Sequence, residues 1–186
     1  MDIQILTWIN DNLHGVPFFN YLFKFITLLG EMGAIWVITG TILFFFKQTR
    51  KCSVFIFVAL LGSLVFNDLI FKNIVSRPRP FTVNKDLAVF IESIGLDLPK
   101  SFSFPSGHSS SSFACATMIF LTLGKKGAFS YILAFLIALS RVFIGVHYIT
   151  DILSGMVLGT LIAIGLYYLC EFILKKFNNR KQKPTE

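Results

Sequence analysis

The chain has 186 residues, 54% of them apolar and 22 of them phenylalanine, with a mean hydropathy of +0.70. That is enough for one domain, 1–186, and too apolar, in blocks rather than in alternation, for a typical soluble fold. The net charge of +7 does not argue for a nucleic-acid partner: ten of the 17 basic residues sit in three short segments beside apolar runs, Lys47–Lys51, Lys125–Lys126 and Lys175–Lys183.

In chain order, residues 1–14 mix Ile3, Leu6, Trp8 and Leu13 with Asp2, Asn10 and Asp11, and read as an interfacial helix with Trp8 near the headgroups. The start Met1-Asp2-Ile3-Gln4 lacks the basic stretch of a secretory signal, so no cleavage is expected. Gly15-Val16-Pro17 breaks that helix. Phe18 to Leu29, interrupted by Lys24, and Ala34 to Phe46 are apolar, with Gly30-Glu31-Met32-Gly33 as a turn between them. Each piece is shorter than the ~20 residues of a perpendicular span, so they are two short spans or one long one. Further spans are expected over Cys52–Phe71, Ser109–Leu123, Ala128–Val146 and Ile152–Leu174, with a basic turn at Gly124–Gly127 and a frayed tail at 175–186. The fold class is therefore all-α, a polytopic membrane bundle of about six helices. Cys52, Cys115 and Cys170 are widely spaced and have neither disulfide nor zinc spacing.

Putting the basic segments in the cytoplasm fixes the topology. Six spans then place both termini and the 175–186 tail inside, whereas five would place the N-terminus outside. Either way the 72–108 loop and His147 face the extracytoplasmic side.

Three polar clusters share that side. The first runs from Lys72 to Pro80, with Lys72, Arg77 and Arg79 as cations and two prolines that extend the chain. Taken alone it reads as a lipid-headgroup contact. Asp68 lies one helical turn before Lys72 and either orients it or makes an ordinary surface ion contact. The second, Pro105-Ser106-Gly107-His108, opens a helix whose free N–H groups favour an anion, and Ser106 or Ser109 caps it. The third is Ser140 to Asp151. His147 and Asp151, four apart, share a face on a helix, so the carboxylate can hold one imidazole nitrogen while the other attacks. Arg141 adds a planar cation for phosphate oxygens. On its own this stretch is as well explained by a buried polar brace between helices. Cations, a helix N-terminus and two histidines together fit phosphoryl transfer, one imidazole attacking phosphorus and the other protonating the leaving oxygen. No group of Asp, Glu and His has metal-ligand spacing, so neither metal nor cofactor is expected.

These residues resemble the type 2 phosphatidic acid phosphatase (PAP2) superfamily, whose motif reads K-x6-R-P, P-S-G-H and S-R-x5-H-x3-D. Lys72–Pro80, Pro105–His108 and Ser140–Asp151 match its three parts in order. The resemblance implies His147 as nucleophile, Asp151 as its orienting partner and His108 as the acid that later activates water. It implies Lys72, Arg79, Ser106, Gly107 and Arg141 as phosphoryl ligands, no metal, and less definite roles for Arg77 and Ser140. The soluble vanadium haloperoxidases share the motif, but the hydropathy here argues against that branch. The short bacterial members suggest undecaprenyl diphosphate as substrate, with phosphatidylglycerophosphate or phosphatidate as alternatives. Phe81, Phe90, Phe102 and Phe104 either line an acyl or prenyl entrance or anchor the interface. The competing non-enzymatic reading is a binder or transporter of phosphorylated lipids, with histidines sensing pH.

Overall fold

The computed structural model describes residues 2–181 and is all-helical over them. Helix α1 spans Asp2–Asn12, α2 Pro17–Gly30 and α3 Ala34–Phe44. Helix α4, Arg50–Ser63, continues through a π-helical stretch, Leu64–Phe71, into α5, Lys72–Val75. Two short helices follow, α6 (Pro80–Val83) and α7 (Lys85–Ser93), before α8 (Gly107–Leu123), α9 (Ser130–Phe143) and α10 (Ile149–Lys181).

Four stretches are long and apolar enough to cross a membrane: Pro17–Phe44, Arg50–Val83, Gly107–Phe143 and Ile149–Asn179. The third folds back on itself. The hydroxyls of Thr117 and Tyr131 meet at 2.8 Å, and a Cβ on Gly127 would lie 2.6 Å from the Ile119 carbonyl oxygen, so α8 and α9 are antiparallel. Residues 17–44, by contrast, make one kinked passage. Phe23 stacks on Phe143 and Thr27 is hydrogen-bonded to Arg141 near the end of α9, while Trp36 bonds Ser112 and Ser53 bonds the Gly40 carbonyl farther along the bundle. The kink lies at Met32 (φ 49°) and Gly33 (φ 68°), both left-handed. The bundle thus makes five crossings rather than six.

An odd count separates the chain ends. Asp2 bonds Arg77 and Thr150 at the end where α10 begins, whereas Lys51 pairs with Glu171 near the other end of α10. The expectation that both termini lie on one side is therefore corrected: α1 sits at the end that carries Arg77 and Thr150. The tail is corrected too, since α10 stays helical through Lys181; the remaining tail residues, 182–186, lie outside the described residues.

Close helix approach sets the core. Helix α10 lies along α8, where a Cβ on Gly155 would stand 2.6 Å from the Ser106 carbonyl oxygen and one on Gly159 only 2.1 Å from that of Ser110. Two glycines one turn apart let the backbones touch, as between membrane helices generally. Ser63 donates to Ser110 at 2.9 Å across the α4–α8 contact, and Trp36 donates to Ser112 at 3.0 Å. The serine run that opens α8 thus supplies interhelical hydrogen bonds.

Helix α1 buries Leu6 and exposes Trp8. His14, just after it, donates from Nε2 to the Phe143 carbonyl at 2.6 Å and stacks on Phe90 at 3.4 Å. Burial holds this imidazole below its ordinary 6.5, against the pull of the Phe143 carbonyl. A histidine depressed in the fold leaves the unfolded chain to take the proton first, so stability falls as pH drops through about 6.5 toward the folded value. We expect a lower Tm at pH 5 than at pH 7.5, and His14→Gln to flatten that difference. An undiminished difference in the variant would assign it to other groups.

Candidate active site

The residues singled out in the sequence converge at one end of the bundle, around a cavity of about 930 Å³. Lys72, Arg79, Gly107, His108, Arg141 and His147 all line it, as do Asp68 and Glu31. Ser106 and Asp151 do not; both stand behind the wall.

His147 is held from two sides. Asp151 Oδ2 lies 3.5 Å from Nδ1, and Arg79 Nη1 lies 3.3 Å from Nε2. A guanidinium only donates, so these partners assign the proton to Nδ1 and the lone pair to Nε2, which is the nitrogen free to attack. The pair does not share a helical face as expected. His147 lies in the α9–α10 loop, which turns at Gly145 (φ 82°), and α10 begins only at Ile149. Asp151 is in the first turn of α10, where its Oδ2 accepts the Tyr148 N–H at 2.9 Å. It also accepts the Ser103 hydroxyl at 2.5 Å, while Oδ1 accepts from Arg77 at 2.6 Å. Three donors besides the histidine hold this carboxylate, which is wholly buried.

Arg77, without a definite part in the sequence reading, therefore orients the carboxylate that orients His147. It also donates to Thr150 and to Asp2, and stacks on the Tyr148 ring at 3.9 Å. Ser103 is a residue of the candidate site that the sequence did not flag. Its motif, Ser-Phe-Ser-Phe, precedes the Pro-Ser-Gly-His turn without any spacing that marks it.

Arg79 is buried and spread over three elements. It donates to the Ser101 carbonyl (2.7 Å), the Ser101 hydroxyl (3.1 Å) and the Val146 carbonyl (3.0 Å). Pro80 does not prolong the extended chain; it starts α6 at the first helical position, where its missing N–H costs nothing. Arg141 donates to Thr27, and its Nε has no protein partner although buried. Lys72, the first residue of α5, is paired at 2.5 Å with Asp68 one turn earlier on the π-helical stretch. Such stretches recur at functional sites because they re-aim a face of the helix.

At the start of α8, Ser106 accepts from the Ser109 N–H (3.4 Å) and hydroxyl (3.1 Å), and its own N–H donates to the Asp151 carbonyl at 3.1 Å. Its hydroxyl caps the helix and its N–H ties α8 to α10, and the residue does not line the cavity. Gly107 is held to a glycine by Asp68: a Cβ there would lie 2.9 Å from Oδ1. His108 follows in the first turn and faces Glu31 across 3.4 Å. Glu31, read from the sequence only as part of a turn, had a signal: it is a carboxylate inside an apolar span.

Thr27, Ser63, Asp97, Ser101 and Ser111 add polar groups to the lining, and one flank of the cavity is apolar. Leu28, Met32 and Val37 from the kinked first crossing, Phe57 and Leu61 from α4 and Leu64 from the π-helical stretch line it and are exposed on the flank of the bundle. None of the loop aromatics Phe81, Phe90, Phe102 and Phe104 lines the cavity, so of their two readings the entrance is set aside. Phe81 is buried in a core cluster, Phe90 stacks on His14, and Phe102 is exposed.

A helical membrane bundle that brings two histidines, three cations and a helix N-terminus to one cavity is built for phosphoryl chemistry. The chain belongs to the PAP2 superfamily, whose sequence profile matches residues 51–174. It is a membrane phosphatase of the lipid-phosphate class. It is 31% identical to phosphatidylglycerophosphatase B of Bacillus subtilis over 90% of this chain and 81% of that one. It is 28% identical to an undecaprenyl-diphosphatase of Sulfolobus acidocaldarius over 82% and 71%. Among solved structures, the transmembrane PAP2-type phosphatidylglycerolphosphate phosphatase of B. subtilis matches with a TM-score of 0.65 at 26% identity, over 100% of this chain and 87% of that one. LpxE of Aquifex aeolicus matches at 0.66 and 26%, over 88% and 92%.

Proposed function

We propose that the protein hydrolyses a lipid diphosphate, undecaprenyl diphosphate in the first place, through a phosphohistidine on His147 and without a metal. The observation that carries this is one cavity lined by both His147 and His108 together with Lys72, Arg79 and Arg141. His147 Nε2 donates its lone pair to phosphorus, and the bond from phosphorus to the leaving oxygen breaks. That oxygen takes a proton from His108, while Lys72, Arg79, Arg141 and the Gly107 N–H hold the charge on the transferring group. Water then attacks the phosphohistidine, gives its proton to His108, and returns the electron pair to Nε2 as phosphate leaves. Asp151 keeps Nδ1 occupied and supports the imidazolium that forms.

Support for a diphosphate comes from three cations over one cavity, and from the relative in S. acidocaldarius. The B. subtilis relative keeps phosphatidylglycerophosphate as the alternative. The apolar flank formed by Leu28, Met32, Val37, Phe57, Leu61 and Leu64 takes the chain of the lipid from the bilayer side. With Lys47–Lys51 and Lys125–Lys126 in the cytoplasm, the site opens outside and α1 lies on the outer surface. Purified protein is expected to release phosphate from undecaprenyl diphosphate with EDTA present, faster than from phosphatidylglycerophosphate or phosphatidate. No release from any of the three sinks the phosphatase reading. Faster turnover of a phosphomonoester would move the preferred substrate and leave the chemistry.

A further inference from the structure

His147 is not the only histidine here that faces a carboxylate. Glu31 Oε2 stands 3.4 Å from His108 Nε2, and this nitrogen is buried with no hydrogen-bond partner. The same ring edge is fixed by packing: a Cβ on Gly30 would lie 2.8 Å from His108 Cδ2 and 2.6 Å from Ile137 Cγ2, so only glycine lets α2 come this close. With the Nε2–Cδ2 edge against Gly30 and Glu31, Nδ1 is the vertex on the far side of the ring. No described residue hydrogen-bonds it, and the ring is one of the cavity walls.

The chain spends local conformational energy to deliver Glu31. It follows α2, and Met32 directly after it has a φ of 49°, a left-handed conformation that a side chain with a Cβ rarely adopts. Thr27, one turn earlier, bonds Arg141, so one face of α2 supports two groups of the site. The other charges around His108 are Arg141 on α9, and Lys72 at the start of α5 with Asp68 on the π-helical stretch. A carboxylate within an apolar span is costly unless paired, and His108 is its nearest partner here.

We propose that Glu31 is a positioning residue for His108. In this arrangement Glu31 holds the proton of the neutral ring on Nε2 and turns Nδ1 toward the leaving oxygen, as Asp151 does with the opposite nitrogen of His147. The inference rests on the phosphatase reading for its kinetic consequence, but not for the pairing itself. In the acid step Nδ1–H gives its proton to the departing oxygen and Nε2–H stays with Glu31. In the second step Nδ1 takes the proton back from water.

The test has two arms, both on the full chain in detergent. The first is nitrogen NMR of protein labelled at its 3 histidines, with His14→Gln and His147→Gln used for assignment. His108 should show the Nε2–H tautomer, and Glu31→Ala and Glu31→Gln should change its tautomer ratio. An unchanged signal in both variants overturns the pairing whether or not the protein is a phosphatase. The second arm compares an alkyl lipid phosphate, whose leaving oxygen needs a proton, with p-nitrophenyl phosphate, whose leaving oxygen needs little. Loss of acid positioning should lower kcat about 10–100-fold on the alkyl ester and less than about threefold on the aryl ester. KM should not rise, and Glu31→Asp should recover part of the loss. Equal loss on both esters would make Glu31 merely structural. Absence of phosphate release from every lipid phosphate by the wild type would instead overturn the phosphatase reading and leave the NMR arm to decide the pair.

Discussion

Replacing His147 with alanine is expected to abolish phosphate release on every lipid phosphate, by at least about 10⁴-fold, or roughly 5 kcal/mol in barrier. Without its Nε2 no covalent intermediate forms, and the remaining cations cannot supply a nucleophile. The protein should still fold. His147 is buried, but its backbone N–H bonds the Arg141 carbonyl and persists in the variant. The cavity left by the ring is polar and open to the existing one, so the change in Tm should be small. The direct measurement is acid-labile, base-stable phosphate trapped on the protein during turnover: present in the wild type, absent in His147→Ala. A binder or transporter of phosphorylated lipids would give no such adduct in either protein. Retained turnover in the variant would place the nucleophile elsewhere.

Asp151 is bound to the same experiment. Asparagine there would place an amide against donors from Ser103, Tyr148 and Arg77 as well as the imidazole. Its NH2 group finds an acceptor only in the Ser103 hydroxyl or the imidazole Nδ1, and a ring that accepts at Nδ1 loses the tautomer that leaves Nε2 free.

How much of this was legible in the sequence follows from what each feature depends on. The helices were legible because apolar blocks of membrane length have few alternatives in a bilayer. Their number was not. Whether 17–44 turned back or passed straight through depended on backbone angles at Met32 and Gly33, which a Gly-Glu-Met-Gly string fits in either case. That one ambiguity also misplaced the N-terminus. Lys72, Arg79, His108, Arg141 and His147 were legible as a cluster because charged or ionisable groups beside apolar runs are rarely incidental, and Gly107 as part of the turn that opens α8. Their supports were not. Ser103 reaches Asp151 across 48 residues, and Thr27 reaches Arg141 across 114, contacts that no local pattern encodes. Ser106 was legible both as a cap and as a phosphate ligand, and the geometry of the chain gives it the first part. The loop aromatics left two readings open because large apolar side chains above a membrane site suit an entrance as well as an anchor. The actual apolar wall comes from α2, α3 and α4, where lipid-facing residues look alike in sequence.

The second large effect is expected at Arg79, where lysine keeps the charge and loses the shape. One guanidinium holds Ser101 through Nε and Nη2, and holds the Val146 carbonyl and His147 Nε2 through Nη1. An ammonium has three donors on a flexible stem and cannot reach all of these in one plane. The Ser101 and Val146 carbonyls would then compete for it with the transferring phosphoryl group. We expect Arg79→Lys to lower kcat about 10²–10³-fold, near 3–4 kcal/mol, with a smaller change in KM, because the guanidinium sits where charge develops on the transferring group. Stability should fall as well, by roughly 1–3 kcal/mol, since two buried carbonyls lose a donor. Arg141→Lys provides the contrast. Its guanidinium has one protein partner, Thr27, and a free Nε, so a lysine there disturbs fewer protein contacts and should cost less stability at comparable loss of rate. If both variants lost stability equally, the bracing of the loop before α8 by Arg79 would be wrong. If Arg79→Lys kept full kcat, the guanidinium would be part of the scaffold alone, and the charge on the transferring group would have to fall to Lys72 and Arg141.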